Sequence, residues 1–352
     1  MDETKRVTNI HGKQLVFYIY VPMYRSNSAG IKVLFLLAER LKQLGNHVYL
    51  VAHNPSTSGD ANPFTVPFLT RELAERHRSD GWLQVVIYSE TVVGNPLRAQ
   101  HVARYFLNYP GALGGTRSIN LTELNFAYSQ RIAQSIGDEC IVVFIPALDL
   151  EELPRNIKKD PSLNLVYAGK YRAFIGEPLC DYGVAVTEIF RDGKNRQSRI
   201  DVLNLLAAAN RIYVWENSTI ATEAILLETP VVFIQNPFLG EIIAEIELGN
   251  FGYTFSTSES EIEKARLEIP MAKLTYKNAD ALSDVQLRAF IEKAGCFFRH
   301  SQNQGRPIKV PEKSTLLNMH RVRMFLSIVR RQGILRAMKV VKEFGYFRFR
   351  SK

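Results

Sequence analysis

The chain has 352 residues, 46% of them hydrophobic, and a formal net charge of +9. That length exceeds what one compact core ordinarily holds and suits two domains, while the apolar share leaves no room for a largely disordered chain. No apolar run is long enough to span a bilayer, and Met1-Asp-Glu-Thr-Lys-Arg has no apolar stretch behind its charges, so neither a membrane helix nor a secretory signal is expected.

The charge is unevenly placed. Residues 313–352 hold eleven Lys and Arg against a single acid, Glu343, a net of +10, whereas the other 312 residues net −1. The basic character therefore belongs to the tail and not to the body. Cys140, Cys180 and Cys296 are odd in number and widely spaced, without metal-ligand spacing. Free thiols in a reducing cytoplasm are expected, with no metal and no cofactor.

In chain order, residues 13–24 predict a first buried strand, followed by the loop Arg25 to Gly30 and an amphipathic helix over 31–44. Gly30 at that helix start lets a ligand approach the backbone, where exposed amides attract anions. The three-glycine dinucleotide pattern is missing, which argues against a Rossmann dehydrogenase. A second strand is expected at 47–52, a helix at 69–77 and a third strand at 83–88. Glu90 falls just past that strand, at the carboxyl edge of the sheet, where α/β sites open. Gly94, Asn95 and Pro96 predict the start of a helix over 96–107, which would set His101 and Arg104 within a turn of each other. Glu90 and His101 are thus the candidate catalytic residues, and residues 140–146 close the series as a strand.

Residues 150–162 turn polar and mark the best boundary, giving a first domain at 1–152. A second α/β series fills 153–310, with strands at 163–167 and 184–189 and helices at 198–209 and 281–294, the last ending at Gly295. Gly169 and Lys170 end its first strand, with Arg172 close behind; cations there can neutralise a diphosphate. Glu188, at the end of the next strand, is a candidate by the same logic.

The most informative run is Arg211 to Ile234. Its short apolar strand stops at Glu216, Asn217, Ser218 and Thr219, mostly helix-capping types, before Ile220, Ala224 and Leu227 recur at helical spacing. Thr229-Pro230 ends the helix before the apolar run 231–234. Such a strand-turn-helix is where α/β folds bind phosphates. Here the turn carries Glu216, Ser218 and Thr219, and Glu223 follows one helical turn later.

The tail, 311–352, places Val322, Phe325, Leu326 and Val329 at helical spacing beside Arg321, Arg323, Arg330 and Arg331. An apolar stripe with a cationic face and terminal aromatics suits an anionic membrane surface better than nucleic acid.

Strands alternating with helices in two halves give an α/β chain of two Rossmann-like domains. In this layout the sequence resembles the GT-B glycosyltransferases. Glu223-Ala-Ile-Leu-Leu-Glu-Thr-Pro-Val-Val is similar to the glutamate-alanine segment before a "PVV" strand in retaining members. Glu90-Thr-Val-Val-Gly-Asn-Pro, with Arg104-Tyr-Phe-Leu-Asn-Tyr-Pro-Gly111, resembles proteins of bacterial capsule and O-antigen clusters. The resemblance implies two domains facing across a cleft, a nucleotide-sugar held in the second domain, Glu223 on the donor ribose and Lys170 facing the diphosphate. It departs at position 215, where retaining members carry a glutamate and this chain has Trp215, with Glu216 one residue later. Stereochemistry therefore stays open. The expected function is transfer of a sugar from a nucleotide-sugar to a lipid-linked or polysaccharide acceptor on the cytoplasmic face of the membrane. The alternatives are a nucleotide-sugar epimerase and a non-catalytic membrane scaffold of the same fold.

Overall fold

The computed structural model describes residues 9–10, 13–26, 28–55, 59–115, 117–191, 195–243, 245–298 and 308–311. Residues 312–352, and with them the basic amphipathic stretch, lie outside the described residues. The described chain forms two compact units, one of residues up to 147 together with 280–298 and 308–311, the other of residues 148–279.

The first unit runs β1 (Asn9–Ile10), β2 (Lys13–Val21), α1 (Ala29–Gln43), β3 (His47–Ala52), α2 (Arg71–Ser79), β4 (Leu83–Ser89), β5 (His101–Phe106), β6 (Leu124–Ala127), α3 (Gln130–Ile136) and β7 (Ile141–Val142). Strands β3, β2, β4, β5, β6 and β7 lie side by side in that order, all parallel, with β1 a short antiparallel addition to β2. Residues 15–21 of β2 are buried without interruption. A parallel strand covered on both faces reads as a continuous apolar run, which is why this strand was legible.

The second unit runs β8 (Asn164–Tyr167), α4 (Gly169–Phe174), β9 (Thr187–Glu188), α5 (Arg199–Ala208), β10 (Arg211–Val214), α6 (Thr219–Leu226), β11 (Val231–Phe233), α7 (Glu245–Leu248) and β12 (Tyr253–Thr254). Its sheet is parallel throughout, in the order β12-β11-β10-β8-β9. The long helix α8 (Glu259–Phe298) follows, and its residues 280–298 belong to the first unit.

Two expectations are corrected. Residues 96–107 do not form a helix: Arg98 has φ +57, which a right-handed helix excludes, and His101 to Phe106 form buried β5. The turn before it is closed by Asn95, whose Oδ1 accepts from Ala99 N–H at 2.8 Å and from Tyr88 O–H at 2.9 Å. The helix expected at 281–294 begins far earlier and passes through both Pro270 and Gly295. Ile262, Ala265, Ile269, Ala272, Tyr276, Ala279, Ser283, Leu287 and Phe290 recur every three or four residues and are all buried. That unbroken apolar stripe outweighs the helix-breaking tendency of a single exposed proline.

A buried aromatic group on the first unit holds a histidine that must stay neutral. His77 is 3% exposed, stacks on Trp82 at 4.4 Å, and Nδ1 lies 2.7 Å from Tyr18 Oη. Burial, aided by the charges of His47 and Arg76 and opposed by Asp80, lowers the His77 pKa to about 4. The unfolded chain then binds the proton more readily than the folded one. This contribution to stability is complete above pH ~6.5 and is lost as pH falls toward 4, by up to roughly 1.4 kcal/mol per pH unit. Urea denaturation at stepped pH should show that decline in the wild type and a shallower one in His77→Phe. Equal declines in both would assign the effect to other groups.

Candidate functional site

Within the second sheet, β9 lies on one side of β8 and β10 on the other. Where successive strands diverge in this way, a parallel sheet leaves a crevice outside their carboxyl ends. The residues following β8 and β10 therefore border this divergence, and Glu216 and Glu223 among them are buried.

Gly169 begins α4 directly after β8 with φ +25, and a Cβ there would stand 2.5 Å from Tyr167 Oη. Only glycine fits, and this close approach sets the path of Lys170 and Tyr171. Glu216, just past β10, accepts the Tyr171 N–H through Oε2 at 3.0 Å and so ties the two strand ends together. Its residue is 1% exposed, and Oε1 is buried with no hydrogen-bond partner. Burial raises the Glu216 carboxyl pKa, against the pull of Lys170, the Tyr171 and Lys170 amides, and Arg191. Trp215 occupies the alternate side of the strand end. It packs with Val166, Ala168, Tyr213 and Ile262, and its Nε1–H donates to Tyr182 Oη at 2.8 Å. Strand alternation thus buries position 215 in the apolar core and turns position 216 the other way.

Helix α6 starts at Thr219, with Ser218 as its N-cap in extended conformation and no acidic residue in its first turn. Glu223, on the second turn, is buried and engaged at both oxygens. Oε1 accepts from Arg199 Nη1 at 2.8 Å, and Oε2 lies 3.4 Å from Arg191 Nη1. Arg191 follows β9 and also lies 3.5 Å from Thr219 Oγ1, while Arg199 opens α5 and reaches Glu152 at 3.6 Å. Arg172 and Glu188 meet each other: Arg172 Nη2 contacts the two Glu188 oxygens at 2.5 and 2.6 Å, and Nη1 pairs with Glu177. Burial raises the Glu188 pKa, and Arg172 opposes the shift. Asn217 anchors the loop after β11, donating to the carbonyls of Leu239 and Glu241 and accepting from Ile243 N–H.

In the first unit, β3 and β4 flank β2, so the corresponding divergence lies between β2 and β4. Glu90 stands there, buried, with Oε2 accepting the Leu107 N–H at 3.1 Å. The loop beyond crosses directly above it: a Cβ on Gly115, whose φ is +79, would come within 2.1 Å of the Glu90 carbonyl oxygen. Gly30 is the second residue of α1, and a Cβ there would meet only Leu107 Cδ1 at 3.7 Å, so nothing steric demands glycine. His101 starts β5, opposite Val85, whereas Glu90 pairs by backbone with Tyr105 near the other end of that strand. The structure therefore does not bring Glu90 and His101 together. The His101 ring packs on Phe298 instead, at 5.1 Å.

No family model matches the chain, and no curated protein matches it either. Among solved structures it is similar to an O-GlcNAc transferase of Thermobaculum terrenum, with TM-score 0.51 and 12% identity over 80% of this chain and 68% of that one. The fold is that of the GT-B glycosyltransferases. Other similar structures are AviGT4, a glycosyltransferase involved in avilamycin A biosynthesis (TM-score 0.46, 16% identity, 81% of this chain and 98% of that one), and a glycosyltransferase from Rickettsia africae (0.46, 13%, 82% and 100%). Among the described residues, no helix is long and apolar enough to cross a membrane, and no group of three or more His, Cys, Asp or Glu is placed to hold a metal ion.

Set on this GT-B frame, Lys170, Glu216, Ser218, Thr219 and Glu223 gather at one sheet edge, and Arg172 with Glu188 forms an ion pair beside them. Sequence reasoning missed Arg191 and Arg199. Their positions, just past a strand and at a capped helix start, were available signals; their pairing with Glu223 across some thirty residues was not. Arg104 was read as part of a helix wall, yet it is a buried tie. It holds Glu123 through Nε at 2.5 Å and Nη2 at 3.1 Å, and donates to the carbonyls of Val92 at 2.7 Å and Gly94 at 3.0 Å. Removing one partner of a buried pair typically costs about 3–5 kcal/mol because the other charge is left uncompensated. Arg104→Met should lower unfolding stability by about that amount, and adding Glu123→Leu should recover part of it. A double variant no more stable than Arg104→Met would show that the pair is not the source.

Proposed function

We propose that this chain is a glycosyltransferase that binds a nucleotide-sugar at the carboxyl edge of the second sheet. The observation that carries the reading is Glu216. At the divergence of β8 and β10 it is a buried carboxyl with one oxygen unpartnered, set among Lys170, Arg191 and the start of α6. A buried acceptor without a donor is rare in folded proteins, and a ligand hydroxyl would supply one.

Glycosyl transfer breaks the bond between the sugar C1 and the phosphate oxygen. The electron pair leaves with the diphosphate, and the acceptor oxygen forms the new bond to C1 while losing a proton to a base. The transition state needs positive charge where the phosphate departs, best supplied by groups already in place. Lys170, Ser218 and Thr219 at the helix start, and the neighbouring arginines provide it in this reading. Arg172 and Glu188 frame the site through their ion pair. Glu90 is the proposed carboxylate of the acceptor side, with His101 as the alternative. The acceptor in this reading is a lipid-linked or polysaccharide glycan of a bacterial surface polymer, and the basic stretch 311–352 carries the enzyme to the anionic inner face of the membrane.

A thermal-shift series with UDP, GDP, ADP and dTDP tests the donor half, since a ligand that binds only the folded state raises the midpoint according to its affinity. At least one should stabilise the wild type, and Lys170→Ala should bind it about ten- to a hundredfold more weakly, as expected for a lost charged hydrogen bond. Failure of every nucleotide and nucleotide-sugar to bind would end this reading.

The membrane half has its own test. Each Lys or Arg near an anionic bilayer contributes about 1 kcal/mol, screened by salt. The chain should sediment with anionic but not neutral liposomes at low salt, and deletion of 316–352 should abolish this. Indifference of the intact chain to anionic liposomes would remove the membrane and lipid-linked acceptor from the proposal.

A further inference from the structure

The chain passes from β4 to β5, two parallel neighbours, without forming a helix. Such neighbours are usually joined by a crossover helix that covers the sheet. Here part of the cover comes from far along the chain. Ile308 is buried in one cluster with Val86, Tyr88, Leu97 and Val102, and Val310 packs against it. The Lys309 N–H donates to the Leu97 carbonyl at 3.0 Å, so residues 308–310 are fastened to the turn 93–98. The basic tail therefore leaves the first unit at this turn.

The turn directs its polar backbone inward. The carbonyls of Val92 and Gly94 accept from Arg104, that of Asn95 from the Arg98 N–H, that of Leu97 from Lys309, and that of Ala99 from the Asn95 side-chain amide. A loop with its carbonyls already bonded leaves water at little cost, because unpaired polar groups are what make that transfer expensive. Its outer side is apolar and cationic: Val93, Pro96 and Arg98 are exposed, and a Cβ on Gly94 would meet nothing within 4 Å. Residues 91–100 and 308–311 contain no acid, and Arg98 and Lys309 supply two exposed cations. Residues 312–352 continue with eleven Lys and Arg against Glu312 and Glu343. Leu316 lies five residues beyond Pro311, a reach of at most about 18 Å. A tail seated on a bilayer from Leu316 onward would hold this turn near the headgroups.

We propose that the turn 93–98, together with Lys309 and Val310, is the surface by which the first unit meets an anionic bilayer. This rests on the membrane reading of the tail and adds to it the face that turns to the lipid. Glu90 precedes Val93 by three residues, at most about 11 Å of chain. A glycan carried on a lipid in that bilayer is then presented to the sheet edge where Glu90 stands.

Fluorescence of a label at position 93 tests this in the full chain. Val93→Cys, with the exposed Cys180 and Cys296 replaced by Ser, carries an environment-sensitive dye. Asp138→Cys in the same background, just before the edge strand β7, is the control. Vesicles of phosphatidylglycerol mixed with phosphatidylcholine should shift the emission at position 93 to the blue and leave position 138 unchanged. Phosphatidylcholine alone should change neither. Arg98→Gln with Lys309→Gln should lower partitioning to the anionic vesicles by about ten- to thirtyfold, since two cations are lost from the interface. Both side chains are exposed, so the backbone bonds of the turn are kept. A chain that binds these vesicles while the label at position 93 still reports water would overturn the inference and leave the membrane reading standing. Equal shifts at both positions, or wild-type partitioning of the double variant, would overturn it too. If the intact chain binds no anionic vesicle, both fall.

Discussion

A carboxylate under a protein surface must find partners, and the carboxyl edge of the second sheet is organised by that requirement. Glu223 on α6 draws in Arg199 from the start of α5 and Arg191 from the loop after β9. Glu216, at the end of β10, fastens the first amides of α4 after β8. Two buried acids thus tie together the chain segments that leave three neighbouring strands. Isolated buried charge would cost several kcal/mol, so none of these segments can move away without leaving an ion uncompensated. The result is a cross-linked polar rim where the strand order of this parallel sheet reverses.

The first unit solves the same problem with different chemistry. Arg104 projects from a fully buried strand and is satisfied by Glu123 and by carbonyls of the loop that follows β4. That loop begins at Glu90, over which Gly115 passes at a distance no side chain would permit. The buried arginine therefore secures the segment that carries the proposed catalytic carboxylate. In the second unit the paired charges also border the proposed ligand position; in the first, the pair supports the residue that does.

Much of this was legible in the sequence, for identifiable reasons. Buried parallel strands such as β2 and β10 are apolar runs, and α6 announces itself through Ser218 and the spacing of Ile220, Ala224 and Leu227. Strand β5 was not legible, because His101 and Arg104 make a buried strand look like the polar face of a helix. Tertiary partners, among them Phe298 for His101 and Glu123 with loop carbonyls for Arg104, let those residues be buried. The length of α8 was masked by Pro270 and Gly295, each a sound local stop signal that the long apolar stripe overrides. At the candidate site, the places of Lys170 and Glu216 just past strand ends were legible in the local pattern. Arg191 and Arg199 were not, since an ion pair between residues 24 and 32 positions apart leaves no trace in local pattern.

The departure at position 215 illustrates how a one-residue shift gains meaning from geometry. Trp215 is held in the core by Tyr171 at 4.7 Å and by its hydrogen bond to Tyr182, and the acid moves to the side facing Lys170 and Arg191. Hydrogen–deuterium exchange in the presence and absence of a bound nucleoside diphosphate examines this directly. The account predicts slowed exchange at the amides of residues 169–171, 189–191 and 218–220, with α2 unaffected. Protection confined to the first unit, with those three segments unchanged, would contradict it.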